Sequence, residues 1–123
     1  MKVLIVEDSL TAINYLRHIL LKNIQDIDID YVNDGKKAYN ILSKRKYDII
    51  FLDWNMPNMN GYDLLLEMKN LLINKDTPIM MVTTEGNRTE IVSAIKMGIK
   101  GYVVKPYTEE YIMQQIYNLI LEL

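Results

Sequence analysis

The chain has 123 residues, 50% hydrophobic and 24% charged, with a formal net charge of -2 and no cysteine. That length fits one domain with a real hydrophobic core and is too short for two. The near-neutral charge, with no dense run of Lys and Arg, excludes an electrostatic grip on nucleic acid, and the missing thiols exclude a disulfide scaffold, a thiolate metal site and a cysteine nucleophile.

The opening run Met1-Lys2-Val3-Leu4-Ile5-Val6 is too short for a signal peptide and passes straight into Glu7-Asp8. No segment approaches membrane-spanning length, so a cytoplasmic protein is expected. Val3–Val6 reads as a first strand, followed by a helical stripe of Ile13, Leu16, Ile19 and Leu20. A second strand is expected around Ile29–Val32, with Ala38, Ile41 and Leu42 on the helix after it. Ile49–Leu52 is the third strand, and Leu64, Leu65, Met68 and Leu71 form the next stripe. Ile79–Val82 is the fourth strand, before Ile91, Ala94 and Ile95. Tyr102–Val104 is the fifth, and Ile112, Ile116, Leu119 and Ile120 close the chain. Three of these strands are continuously apolar, as strands buried on both faces of a parallel sheet must be. The alternation predicts an α/β fold of right-handed βαβ units, (βα)5, with helices on both faces and one domain over residues 1–123.

In open parallel sheets, sites form at the carboxyl ends of the strands where strand order reverses. Glu7 and Asp8 follow the first strand, Asp53 the third, Thr83 and Thr84 the fourth, and Lys105 the fifth, so every notable polar residue falls on one sheet edge. Three carboxylates held together repel one another unless a cation neutralises them. Oxygen-only ligands call for a hard ion, and magnesium suits a site with few protein ligands. Asp53 can then act as a nucleophile toward a phosphoryl donor, giving an acyl phosphate. The metal and the Lys105 ammonium would offset charge on the phosphoryl oxygens, one of which the Thr83 hydroxyl can bind.

The motifs Glu7-Asp8-Ser9, Leu52-Asp53-Trp54-Asn55-Met56-Pro57-Asn58-Met59-Asn60-Gly61, Thr83-Thr84-Glu85 and Gly101-Tyr102-Val103-Val104-Lys105-Pro106-Tyr107 resemble those of response-regulator receiver domains, most closely the stand-alone chemotaxis regulators. The resemblance runs from the first strand to the last helix. It implies a flavodoxin-like sheet of order 2-1-3-4-5 and identifies Asp53 as the phosphoacceptor. It assigns metal binding to Glu7, Asp8, Asp53 and the backbone carbonyl of Asn55. Glu7 stands where the family usually has Asp, and its extra methylene favours reaching the ion through water. Thr83, Lys105 and Tyr102 take the phosphoryl-binding and switch roles, with Tyr102 turning inward on phosphorylation. Asn55, Thr84 and Glu85 are expected to tune phosphoryl lifetime, and the Lys105–Pro106 bond is expected to be cis.

The partners implied are a histidine kinase, a flagellar motor switch protein and a phosphatase, with contacts on the faces of the fourth helix, fifth strand and fifth helix. Arg88, Lys96, Lys100 and Tyr107 are the candidates there. A monomer is expected, without nucleic acid or membrane. Alternatives are a receiver of another pathway, as a phosphorelay intermediate or the receiver half of a transcription factor, which is less expected because the sequence ends at Leu123 without room for a DNA-binding module. An aspartyl-phosphate phosphatase would need an acid where Asn55 stands. Trp54 is expected to be partly exposed near the metal, Gly61 to serve a positive φ in the loop with Pro57, and His18 to lie on a helix surface.

Overall fold

A computed structural model describes residues 1–84 and 88–122. The elements alternate as β1 (Lys2–Val6), α1 (Leu10–Asn23), β2 (Asp28–Val32), α2 (Gly35–Leu42), β3 (Ile49–Leu52), α3 (Gly61–Met68), β4 (Ile79–Thr83), α4 (Arg88–Lys96), β5 (Gly101–Val104) and α5 (Glu109–Leu121). All five strands run parallel in the order β2-β1-β3-β4-β5, so the order reverses between β1 and β3.

Burial explains which strands read clearly from sequence. Every residue of β3 and β4 is buried, and β1 is buried after Lys2. The edge strands β2 and β5 are mostly half-exposed, and their sequences are correspondingly mixed. Strand alternation splits the core in two. Leu4, Val6, Ile50, Leu52 and Met81 pack with Ala38 and Leu42 of α2, Leu64, Leu65 and Met68 of α3, and Ala94 of α4. Val3, Ile5, Phe51, Met80, Val82 and Val103 pack on the other face with Ile13, Leu16 and Ile19 of α1 and Ile112 and Ile116 of α5.

Among the described residues, four helices start on side-chain caps. Ser9, Asp34, Asn60 and Thr108 accept the backbone N–H groups of Ala12, Lys37, Asp63 and Tyr111. Each such cap stabilises its helix by about 1 kcal/mol. After α3 the chain turns back through Asn74, which is fully buried. Its Oδ1 accepts the Tyr47 N–H at 3.0 Å, and its Nδ2 donates to the carbonyls of Leu42 and Arg45 at 2.7 and 2.6 Å. One amide thus supplies partners to three backbone groups, two of them in buried bonds, tying the α3–β4 connection to the α2–β3 turn at the end of the sheet opposite Asp53.

Two helical readings change. Leu71 is buried but lies beyond the end of α3, in a turn where its N–H reaches the Met68 carbonyl at 3.0 Å. Ile95 is 58% exposed, and only Ala94 of α4 is fully inside. With Val92 also exposed, α4 turns apolar side chains to solvent because only one narrow stripe of it meets the sheet.

Candidate functional site

The sheet register brings the acids together. Val6 pairs with Val32 on one side and Leu52 on the other, so Glu7 and Asp53 emerge side by side one residue further on. Their backbones are held there by Glu7 N–H to Val32 O at 3.0 Å and Asp53 N–H to Val6 O at 2.9 Å. Lys105 enters from β5, its N–H bonded to the Thr83 carbonyl at 2.8 Å. The peptide bond between Lys105 and Pro106 is cis.

Glu7 and Asp53 are buried and Asp8 is exposed, and one carboxylate oxygen from each lies within 4.8 Å of the others. Lys105 Nζ ion-pairs with Glu7 Oε1 and stands 3.4 Å from Asp53 Oδ2. Glu7 Oε2 accepts the Ser9 N–H at 3.1 Å, so the carboxylate is clamped between the start of α1 and the lysine. Asp53 Oδ1 accepts the Asn55 N–H at 3.3 Å. Loss of solvent around the cluster raises the Asp8 pKa above its usual value. A hydrogen bond and charge repulsion from Glu7 act in the same direction, against Lys105.

Three carboxylates against one ammonium leave two negative charges uncompensated when all are ionised. The donor set is entirely oxygen, which fits a hard divalent cation. Among the described residues, no other group of three acidic, His or Cys side chains converges in this way.

Thr83 is fully buried at the end of β4, and its Oγ1 has no hydrogen-bond partner among the described residues. An unpaired buried hydroxyl costs stability, so its retention calls for an explanation beyond packing. By strand alternation Thr83 lies on the same sheet face as Met81, the register partner of Tyr102. Tyr102 is half-buried and packs against the core on that face, and burial raises its hydroxyl pKa, with Tyr111 adding to the shift. Thr84 and Asn55 are exposed at the rim, while Glu85 lies outside the described residues.

Three expectations about the surroundings are corrected. Trp54 is not partly exposed: it is buried at 4% and belongs to the core on the α2, α3 and α4 side. The reason is Gly61, whose N–H bonds the Trp54 carbonyl at 2.8 Å and folds the loop back over the indole. Gly61 is therefore required by close approach and not by a positive φ, since a Cβ there would sit 2.9 Å from Trp54 Cα and Cε3. The positive φ of this loop falls on Asn58, at 67°. Tyr107, placed among surface contact candidates, is half-buried and stacks its ring 5.4 Å from that of Tyr15. Arg88, Lys96, Lys100 and His18 are exposed.

Sequence reasoning also passed over a clamp behind the site. Asp34 caps α2 through the Lys37 N–H at 2.8 Å and accepts the Asn58 amide at 3.3 Å. Gly35 beside it lies so close to the β3–α3 loop that an added Cβ would stand 2.1 Å from the Met59 carbonyl oxygen. The Asp-Gly pair ahead of an apolar stripe was a readable cap signal. Its link to residues more than twenty positions on was not.

Comparison with known proteins agrees with this geometry. The sequence model described as "Response regulator receiver domain" matches residues 3–117. A chemotaxis protein CheY homolog of Campylobacter jejuni is 34% identical over 121 residues, covering 98% of this chain and 92% of the relative. The solved chemotaxis response regulator CheY4 of Vibrio cholerae superposes with a TM-score of 0.86 at 29% identity, over 96% of this chain and 97% of that one. The receiver domain of a Pseudomonas aeruginosa sensor histidine kinase, solved with a magnesium ion coordinated in its active site cleft, gives a TM-score of 0.83 at 20% identity, over 95% and 94% of the two chains. With the family's pattern matched across nearly its full length, this chain belongs to the response regulator receiver domain family of two-component signalling.

Proposed function

We propose that the chain is a single receiver domain over residues 1–123 in which Asp53 accepts a phosphoryl group from a histidine kinase in the cytoplasm. The observation that carries this reading is the Asp53 carboxylate, buried beside two further carboxylates and 3.4 Å from the Lys105 ammonium. Glu7, Asp8, Asp53 and the Asn55 carbonyl would hold magnesium, which supplies charge neutralisation of the phosphoryl oxygens. An Asp53 oxygen attacks phosphorus, the bond from phosphorus to the donor nitrogen breaks, and its electron pair leaves with the imidazole. Lys105 faces the charge that builds on the transferred group. Attack by water later releases phosphate and restores the carboxylate, with Asn55 and Thr84 at the exposed rim to tune that step and Glu85 assigned to it by sequence alone.

Thr83 supplies the switch. Its hydroxyl has no partner among the described residues of the unphosphorylated structure, so a phosphoryl oxygen at Asp53 offers the hydrogen bond it lacks. Movement toward that oxygen frees space on the face where Tyr102 packs, and the signal leaves through α4, β5 and α5. The relatives named as chemotaxis proteins favour a flagellar motor switch protein as the target of the phosphorylated form. A hydrolytic enzyme is disfavoured, because the Asn55 carboxamide is too weak an acid to protonate a leaving group.

The test is binding of beryllofluoride, a phosphoryl mimic, in the presence of magnesium. Wild type is expected to bind it and Asp53→Asn to fail. Equal binding by both proteins would overturn the assignment.

A further inference from the structure

Lys105 has to present its ammonium to Glu7 and Asp53 from the end of the edge strand β5, and two anchors fix the backbone that carries it. One is its own N–H, bonded to the Thr83 carbonyl at 2.8 Å. The other comes from 92 residues away: the Tyr15 hydroxyl on α1 donates to the carbonyl of Tyr107, two residues past the lysine, at 3.1 Å. The two tyrosine rings also pack with centroids 5.4 Å apart at an interplanar angle of 40°.

From these contacts we infer that Tyr15 is a positioning residue for Lys105, holding the Lys105-Pro106-Tyr107 turn against α1 so that the ammonium stays aimed at the acceptor. The inference rests on the reading of Asp53 as phosphoacceptor. The turn and the acceptor site are in close contact, because Tyr107, Lys105, Glu7 and Asp53 line one narrow cleft together with Leu16 and Phe51. A turn that drifts from α1 carries the lysine with it, since only Pro106 separates Lys105 from Tyr107. A second tie joins α1 to the start of α5, where Asn23 Nδ2 and Lys22 Nζ both reach Glu109 Oε2 at 3.2 Å. The Tyr15 hydroxyl is therefore not the sole link between α1 and the segment after Lys105. Tyr15 is 47% exposed, so a protein resting on α1 would touch the residue that sets this aim.

The experiment compares wild type, Tyr15→Phe and Tyr15→Leu for magnesium affinity alone, for beryllofluoride affinity at saturating magnesium, and for thermal midpoint. Tyr15→Phe keeps the ring and loses only the hydroxyl. Its beryllofluoride affinity should fall about 3- to 10-fold, the range set by one net hydrogen bond, with magnesium affinity not weakened and the midpoint lowered by no more than a few degrees. Tyr15→Leu should lose more of the mimic's affinity, since the ring contact goes as well. Beryllofluoride affinity equal to wild type in Tyr15→Phe would overturn the inference. So would a loss of mimic affinity no greater than the loss of magnesium affinity, which would mark a merely structural residue. Failure of wild type itself to bind the mimic would instead overturn the phosphoacceptor reading.

Discussion

Thr83→Val separates what the switch residue does for function from what it does for stability. Valine matches threonine in shape but replaces the hydroxyl by a methyl group. In the unphosphorylated protein the Thr83 hydroxyl is fully buried and has no partner among the described residues. A buried group left unsatisfied costs about 1–3 kcal/mol, so its removal should stabilise the resting fold by about 1 kcal/mol at least. For a chain of this size that raises the thermal midpoint by about 4 °C. Valine also suits the interior strand β4, which pairs with β3 on one side and β5 on the other. The assay is urea unfolding of both proteins without magnesium or phosphodonor, paired with beryllofluoride binding. The variant should be more stable and should lose response to the mimic. Destabilisation by more than about 1 kcal/mol would refute the reasoning, because it would mean that the hydroxyl makes a hydrogen bond of net value in the resting state.

Three further predictions rest on other parts of the molecule. Gly35→Ala places a Cβ 2.1 Å from the Met59 carbonyl, a backbone atom that cannot rotate away, so it should destabilise the fold despite alanine's better helix propensity. The expected loss is about 2 kcal/mol by chemical denaturation, and a variant as stable as wild type would contradict the close approach. Asp34, held below its usual pKa first by the Lys37 N–H and then by the Asn58 amide, should give its stabilisation in full above pH 3.8 and lose it as pH falls through the lower folded-state value. The stability gap between wild type and Asp34→Ala, about 1 kcal/mol for a cap, should therefore narrow in strong acid; a gap that widens there would have the wrong sign. Finally, Trp54 is the sole tryptophan and is buried, so its fluorescence should resist a neutral quencher in the native protein and become accessible on unfolding. Efficient quenching of the native state would put the indole back at the surface.

How much of this was legible in the sequence follows from what each signal depends on. β1, β3 and β4 stand out because burial on both faces demands unbroken apolar runs. The site residues stand out because a parallel sheet delivers all its strand ends to one edge. β2 was blurred because Asp28 and Asp30 interrupt its apolar residues on an edge that faces solvent. Ile95 was misplaced because helical spacing shows that a stripe exists, not how much of it the sheet covers. Trp54 was misread because local sequence says nothing of a loop that folds back on it through Gly61. The Tyr15–Tyr107 contact and the Asp34–Asn58 clamp were invisible for the same reason: each joins residues far apart in the chain, and neither has a spacing rule. The parts of the site that depend on topology were readable, and those that depend on loops packing on loops were not.

The most direct test of the account is the site of phosphorylation itself. Purified protein is incubated with a small-molecule phosphodonor, with and without magnesium, and the modified peptide is located by mass spectrometry after borohydride trapping of the acyl phosphate. The account predicts one phosphoryl group, dependent on magnesium, on the peptide carrying Asp53, and none in Asp53→Asn. Undiminished labelling in that variant, or a phosphoryl group found on another residue, would contradict it.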